Sequence, residues 1–153
     1  MHTLELKIPP PVVALCIGTL MWLAARTLPV CGFALPGREF LAIALAAAGL
    51  LADVVAIVSF LRAKTTVNPM KPANASALVA SGIYKFTRNP MYLGSLLFLL
   101  AWAIFLANTL AFAIVPAFVL YMNRFQIAPE ERALAALFGE EFAAYKSRVR
   151  KWL

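Results

Sequence analysis

Hydrophobic residues along the chain are gathered into blocks rather than scattered among polar ones. The first block covers residues 12–28 and the second covers residues 40–61. A helix needs about 17–25 mainly apolar residues to cross the hydrocarbon core of a bilayer. Each block therefore predicts one membrane-spanning helix.

A third apolar region, residues 91–127, is too long for a single span. The polar pair Asn108-Thr109 interrupts it near the middle, which is typical of a tight turn. The pattern predicts two further helices, 91–107 and 110–127, joined as a hairpin. The expected fold is an all-α integral membrane protein with about four transmembrane helices in a single membrane domain.

Two polar segments complete the chain. Residues 63–89 form a long loop, and residues 129–152 carry large apolar side chains every three or four positions. Pro129-Glu130-Glu131 is typical of a helix start, because acidic residues are favourable in the first turn of a helix. The second segment therefore predicts an amphipathic helix that lies on the membrane surface or against the bundle, and Gly139 is a candidate break within it.

The composition agrees with a membrane protein, at 63% hydrophobic and 14% charged residues. Soluble domains have about 45–50% apolar and about 25% charged residues. The net charge of +7 therefore reflects topology and anionic lipid headgroups better than nucleic-acid binding.

The basic residues are placed unevenly around the predicted helices. Apart from Arg26, within the first block, Arg38 falls alone on one side. The others fall on the opposite side: Lys7, Arg62, Lys64, Lys71, Lys85, Arg88, Arg124, Arg132, Lys146, Arg148, Arg150 and Lys151. The positive-inside rule then places both termini and the 63–89 loop in the cytoplasm.

The sequence offers few residues for a metal site, a catalytic triad or a disulfide. The sole histidine, His2, is terminal, so neither a zinc site nor a histidine-based triad is expected. About 15 residues of helix, roughly 22 Å, would separate Cys16 from Cys31, which argues against a disulfide. A cleaved secretory signal is the weaker interpretation of the first block, because Pro9-Pro10-Pro11 precedes it and more spans follow.

Two motifs flank the predicted hairpin. G-I-Y-K-F-T-R-N-P-M-Y-L-G occupies residues 82–94, and N-R-F-Q-I-A-P-E-E-R-A-L-A-A-L-F-G-E-E-F-A-A-Y-K-S-R-V-R-K-W occupies residues 123–152. Together they resemble the isoprenylcysteine carboxyl methyltransferase family and, more broadly, the membrane phospholipid methyltransferases, over the C-terminal half to two-thirds of the chain. The resemblance implies an S-adenosylmethionine-dependent methyltransferase whose cofactor binds at the cytoplasmic face and whose acceptor arrives through the bilayer.

The resemblance also implies a set of cofactor-binding residues: Gly82, Tyr84, Arg88, Asn89, Pro90, Tyr92, Gly94, Glu130 and Glu131. Eukaryotic members usually have histidine where this chain has Asn89. Asparagine donates and accepts hydrogen bonds but does not titrate, which excludes acid–base work at that position.

Arg88, Arg124 and Glu131 are the candidate catalytic residues. A carboxylate acceptor needs no general base but does need a cation, and the fork of an arginine suits a carboxylate. One of the two arginines could instead hold the carboxylate of the cofactor. The competing interpretation is that both arginines are interfacial anchors and that the glutamate serves a helix start.

Tyr84 and Tyr92 offer rings for the adenine or for cation–π contact with the sulfonium, and Glu130 offers a carboxylate for the ribose or amino group. An aromatic belt and a helix start are the alternatives. Asp53 lies inside the second block, where an ionisable residue is by default a functional hypothesis. It either lines the acceptor channel or makes a polar contact between helices.

The resulting prediction is a membrane methyltransferase that transfers a methyl group to a lipophilic acceptor: a prenylated thiol-acid, a phospholipid amine or a small apolar compound. One alternative is an NADPH-dependent membrane reductase of the sterol-reductase type. The other is a non-catalytic small membrane protein.

Overall fold

Helices make up most of the computed structural model, which describes residues 4–65 and 70–153. His2 and residues 66–69 of the predicted loop lie outside the described residues. The elements are α1 (Pro10–Thr27), α2 (Arg38–Arg62), α3 (Pro90–Leu106), α4 (Thr109–Tyr121), a π-helical segment (Met122–Ile127) and α5 (Ala128–Arg148). The predicted all-α fold is confirmed.

Within residues 4–65 and 70–153, three helical stretches are long and apolar enough to cross a membrane: α1, α2 and the continuous run Thr109–Arg148. α3 is equally apolar in character but shorter, at 17 residues. Both α1 and α3 begin at a proline, Pro10 and Pro90. Proline suits the first helical position, because the N–H that it lacks would have no partner within the helix.

The helices pack in a fixed pattern around α3. α2 and α1 both pack against α3, α1 and α3 both pack against α4, and α1 and α2 have no comparable contact with each other. We call the end of the bundle where α1 and α3 begin the near end. The opposite end is the far end.

The far end is tied together by hydrogen bonds between the two connections that meet there. The backbone N–H of Phe33 donates to Ala107 O at 2.9 Å, and the Asn108 side chain donates to Leu28 O at 3.2 Å. Asn108 also caps α4, because its side-chain oxygen accepts from Leu110 N at 3.0 Å. The turn predicted at Asn108-Thr109 therefore joins α3 to α4 and also fixes the α1–α2 connection.

α2 and α3 approach closely at Gly49 and Gly94. A Cβ atom built on Gly94 would overlap Asp53 Oδ1 and would lie 2.9 Å from the Gly49 carbonyl oxygen. Small residues allow helix backbones to approach in membranes, where tight packing rather than water exclusion holds helices together. Gly94 is thus required by the packing of two helices.

Gly94→Ala is expected to lower the melting temperature in detergent, because the added methyl group forces α2 and α3 apart. Overpacking typically costs about 1–3 kcal/mol, or roughly 2–12 °C for a chain of this size. Gly18→Ala is the matched control: its Cβ would meet Leu99 and Trp102 at 3.8 and 3.9 Å, which is ordinary contact. Equal melting temperatures for the two variants, followed by tryptophan fluorescence on heating, would contradict the close packing.

α5 begins at Ala128, and Glu130 and Glu131 lie in its first turn, as predicted. The helical run is nevertheless continuous from α4 through the π-helical segment into α5, which the sequence did not indicate. The backbone N–H of Ala128 donates to Asn123 O, five residues back, as in a π-helix. The wider turn accommodates Pro129, which has no N–H to donate to the preceding turn.

α5 bends sharply at Gly139, where φ is 48° and ψ is −119°. Lys146 and Glu131 would be roughly 22 Å apart along a straight helix, yet their charged atoms lie 2.7 Å apart. The break predicted at Gly139 therefore folds α5 back on itself. Its helix ends at Arg148 rather than at residue 152, and Val149 is extended.

Candidate active site

A cavity of about 430 Å³ lies at the near end, between α2, α3 and the folded-back α5. Ligand sites for small molecules commonly measure about 300–1,000 Å³. Most of the predicted site residues line it: Tyr84, Arg88, Asn89, Pro90, Tyr92, Glu130 and Glu131. We call this space the near-end cavity. Its remaining wall is largely apolar, with Phe60, Leu134 and Phe142 among its members.

Arg88 connects the start of α3 to the end of α5. Its Nη2 donates to Glu131 Oε1 at 2.7 Å, and its Nη1 donates to Lys146 O at 3.1 Å and to Val149 O. Its backbone N–H donates to Arg150 O at 3.0 Å. The guanidinium therefore satisfies carbonyl groups that the last turn of a helix leaves without partners.

Glu131 is held by two cations. Its second oxygen accepts from Lys146 Nζ at 2.7 Å, and the side chain is 13% exposed. Burial alone would raise the pKa of Glu131, but the hydrogen bonds and charges of Lys146 and Arg88 outweigh burial and lower it. Glu131 is consequently ionised at neutral pH and links both arms of α5 to α3.

Glu130 has a different environment from its neighbour. Its Oε2 accepts a hydrogen bond from the Tyr92 hydroxyl at 2.9 Å. Burial and the nearby charge of Glu131 raise the pKa of Glu130 to about 7, although the hydrogen bond from Tyr92 opposes this. The two adjacent carboxyl groups thus differ in pKa: Glu131 is ionised at neutral pH, whereas Glu130 titrates near neutrality.

Tyr84 and Tyr145 form a buried phenol pair on one wall. The Tyr145 hydroxyl donates to Tyr84 O at 2.8 Å, and the ring of Phe60 meets Tyr84 edge-on at 5.4 Å between centroids. Burial raises the pKa of Tyr145 to about 12. Burial, assisted by the negative charge of Glu130, also raises the pKa of Tyr84. Both rings therefore remain neutral and present uncharged faces.

Two buried polar atoms at this cavity have no hydrogen-bond partner within residues 4–65 and 70–153: Arg88 Nε and Asp53 Oδ1. An unpaired buried donor or acceptor costs about 1–3 kcal/mol, so such atoms are usually satisfied by water or a ligand. The cavity thus offers one donor at the near end and one acceptor deeper in the bundle.

Three predicted site residues do not line the cavity. Gly82 adopts a positive φ of 62° and packs against Ser59 Oγ, and Gly94 lies in the α2–α3 contact. Arg124 is exposed in the π-helical segment. Gly82 shapes the turn before α3, and Arg124 is not among the residues that line the cavity with Arg88.

Sequence reasoning missed Lys146 and the backbone of residues 149–151. The side chain of Asn89 donates to Lys151 O at 2.8 Å, so the last residues are attached to the segment that leads into α3. Nothing in the spacing predicts the pairing of Glu131 with Lys146, because the bend at Gly139 brings them together. Tyr145 belongs to the apolar stripe of α5, which does predict that it is buried.

Groups of three or more His, Cys, Asp or Glu that could hold a metal ion do not occur in the described part of the chain. The acidic and basic side chains that line the near-end cavity are those of Asp53, Arg88, Glu130 and Glu131.

Comparison with known proteins identifies relatives. Over 63 residues the chain is 52% identical to an uncharacterised protein of Haemophilus influenzae, which covers 41% of this chain and all of that protein. Over 67 residues it is 42% identical to methanethiol S-methyltransferase 1 of Bradyrhizobium diazoefficiens. That match covers 44% of this chain but only 22% of that enzyme.

The model of the phospholipid methyltransferase family matches residues 38–141, which include α2, α3, α4 and the first arm of α5. This range contains Arg88, Tyr92, Glu130 and Glu131, whereas Tyr145 and Lys146 lie just beyond it. The resemblance to membrane methyltransferases is confirmed, and the chain belongs to the phospholipid methyltransferase family.

Proposed function

We propose that this protein transfers the methyl group of S-adenosylmethionine to a lipophilic acceptor, with the cofactor bound in the near-end cavity. One observation carries the proposal. The near-end cavity, which is largely apolar, contains both Arg88, whose Nε has no partner among the described residues, and Glu130, whose pKa is about 7. S-adenosylmethionine has a carboxylate, an ammonium, a sulfonium and a flat base. The cavity provides a matching group for each.

The carboxylate of the cofactor would bind Arg88. Nη1 and one N–H of Nη2 are occupied by protein acceptors, whereas Nε is not. Nε and Nη2 form the side-on edge of a guanidinium, which binds a carboxylate in a bidentate manner. Arg88 would then hold the cofactor through Nε, the guanidinium nitrogen that has no partner among the described residues.

The positive groups of the cofactor would lie near Glu130, and the adenine would pack among the aromatic side chains. Tyr84 remains neutral, and its ring stands beside Phe60. Aromatic faces attract sulfonium-type cations and stack on flat bases. Glu131, already paired with Arg88 and Lys146, would act by positioning rather than by direct contact.

We place the near end in the cytoplasm. Arg62, Lys85, Lys146 and Arg150 lie in segments at this end, whereas Arg38 starts α2 at the far end. The positive-inside rule favours the orientation that keeps the basic end in the cytoplasm. Water-soluble cofactor would then reach the cavity from the cytoplasm, and a lipophilic acceptor would reach it from the bilayer.

When bound, the cofactor supplies an activated methyl group on a sulfonium. The chain itself binds, orients and excludes water, since displacement at a methyl carbon needs alignment more than protein nucleophiles. Arg88 fixes one end of the donor, while the apolar wall formed by Phe60, Leu134 and Phe142 keeps water from the reacting carbon.

The test is a calorimetric titration of the purified protein in detergent with S-adenosylmethionine, S-adenosylhomocysteine and NADPH. Saturable binding of the first two is expected, and NADPH is expected not to bind. Binding of NADPH alone would favour the reductase. Binding of none of them by folded protein would refute the proposal.

Binding of S-adenosylmethionine near pH 7 is expected to release protons. Glu130, with a pKa of about 7, is roughly half protonated there, and a bound cation favours its ionised form. Affinity should therefore rise as pH increases from 6 to 8. Titrations in buffers of different ionisation enthalpy measure the release, and Glu130→Gln should abolish both effects. Unchanged proton release in that variant would contradict the assignment.

A further inference from the structure

Asp53 is a carboxyl group in the middle of a membrane-spanning helix. It faces α3 across the close approach at Gly94, and its Oδ1 is buried with no hydrogen-bond partner among the described residues. Ionisable groups within spans are costly and usually pair with another group or serve a function. Asp53 therefore requires a donor that the described residues do not supply.

Asp53 stands where two cavities meet. A second space of about 670 Å³, the lateral cavity, is lined by side chains of α1, α2 and α3, among them Leu15, Trp22 and Trp102. It exists because α1 and α2 both pack on α3 but not comparably on each other. Asp53 and Ser95 line this space and also line the near-end cavity.

The two cavities differ in the number of charged residues that line them. Charged groups, Arg88, Glu130 and Glu131, surround the near-end cavity, whereas Asp53 is the charged residue among those that line the lateral one. A lipophilic molecule in the lateral cavity would place its polar head at Asp53. The head would then face the space in which the methyl donor is proposed to lie.

We propose that the lateral cavity holds the methyl acceptor and that Asp53 takes the proton from its nucleophilic atom. The acceptor is accordingly an apolar molecule whose head is a thiol or amine, not a carboxylate. This inference rests on the proposed methyltransferase function.

A thiol or amine acceptor differs from a carboxylate acceptor because its nucleophilic atom carries a proton. A carboxylate acceptor has no proton to give and would meet the like charge of Asp53 in a medium of low dielectric constant, which is unfavourable. A thiol or amine supplies an N–H or S–H donor to the Asp53 carboxyl group, which lines the lateral cavity. It must also lose a proton to become a neutral methylated product.

The step balances. A lone pair of the acceptor sulfur or nitrogen forms a bond to the methyl carbon as the bond from that carbon to the sulfonium sulfur breaks. The breaking electron pair stays on the cofactor, which becomes a neutral thioether. The acceptor proton passes to the Asp53 carboxylate and leaves to water when the products depart. Charge is conserved, since the sulfonium and the carboxylate are neutralised together.

The experiment compares three acceptors with the same chain: dodecanethiol, dodecylamine and dodecanoate. Full-length protein in detergent is incubated with methyl-labelled S-adenosylmethionine, and products are identified by mass spectrometry. Wild-type protein is expected to methylate the thiol, the amine or both, and not dodecanoate. Asp53→Asn keeps the shape of the side chain and should reduce kcat by about 10²–10⁴-fold, as expected on removal of a general base.

Three controls make the result specific. Glu39→Gln removes an exposed acid from the same helix and should leave kcat unchanged. Gly18→Leu narrows the lateral cavity and should raise KM for the acceptor while leaving the Kd for S-adenosylmethionine unchanged. That Kd, measured by calorimetry on every variant, reports an intact near-end cavity.

The outcomes separate this inference from the function on which it rests. Failure of wild-type protein to bind S-adenosylmethionine removes the proposed function. Normal cofactor binding with transfer to dodecanoate alone, or to none of the three, overturns the role of Asp53. The same holds if Asp53→Asn retains thiol and amine transfer within about threefold. Transfer to the thiol alone assigns a sulfur acceptor, and transfer to the amine alone assigns a nitrogen acceptor.

Discussion

Glu131→Ala is expected to lower the free energy of unfolding by about 3–5 kcal/mol, because it leaves the Arg88 guanidinium buried without its counter-ion. The two side chains are 9% and 13% exposed, so solvent screens the pair only weakly. The variant also releases Lys146, and with it the second arm of α5. A fall in melting temperature of roughly 6–20 °C should follow, measured by near-ultraviolet circular dichroism in detergent.

Arg132→Ala is the matched control in the same helix. It removes an ion pair in which the Glu5 side chain is 11% exposed but the Arg132 side chain is 58% exposed, so that water screens the arginine. Exposed pairs contribute at most about 1 kcal/mol, so this variant should stay within a few degrees of wild type. If both variants melt at the same temperature, the Arg88–Glu131 pair does not hold α5 against α3.

Deletion of residues 149–153 is expected to weaken S-adenosylmethionine binding by about 100-fold or more, equivalent to roughly 2.7 kcal/mol. The deletion removes acceptors used by the Arg88 backbone, the Arg88 guanidinium and the Asn89 side chain. It also removes Trp152, whose indole donates to Asn123 Oδ1 at 3.0 Å. Without these contacts Arg88 can rotate, and its side-on edge is no longer presented to the cofactor.

Calorimetry on the truncated and full-length chains measures this effect. Deletion of Leu153 alone is the control, because that residue is exposed and the described hydrogen bonds involve residues before it. The control should bind the cofactor as wild type does. A chain ending at residue 148 that binds with unchanged Kd would show that the last residues merely follow α5.

The helices were predictable because their signals are local. Blocks of apolar residues, a proline at the start of α3 and a polar pair at Asn108-Thr109 each specify structure within a few residues. The cluster of Tyr84, Arg88, Tyr92 and Glu130 was predictable as well, but only through the resemblance of two motifs. Neither spacing nor composition alone brings residues 84 and 130 together.

The features that the sequence did not predict depend on the path of the backbone. The π-helical segment has no composition signal, so the continuity of α5 with α4 was not predicted, although the start of α5 beside Pro129 was. The pairing of Glu131 with Lys146 depends on the angle of the bend at Gly139. Arg124 and Gly94 belong to the motifs, yet the fold directs one to the surface and the other to a contact between helices.

The π-helical segment sets the rotational phase of everything that follows it. An α-helix turns about 100° per residue, and a π-helical stretch accommodates an additional residue without an additional turn. If all six residues of Met122–Ile127 adopted α-helical spacing instead, Glu130 and Glu131 would rotate by about 100° away from Tyr92 and Arg88. Of these six residues Ile127 lines the near-end cavity. The orientation of Glu130 and Glu131 therefore depends on the π-helical geometry of this stretch.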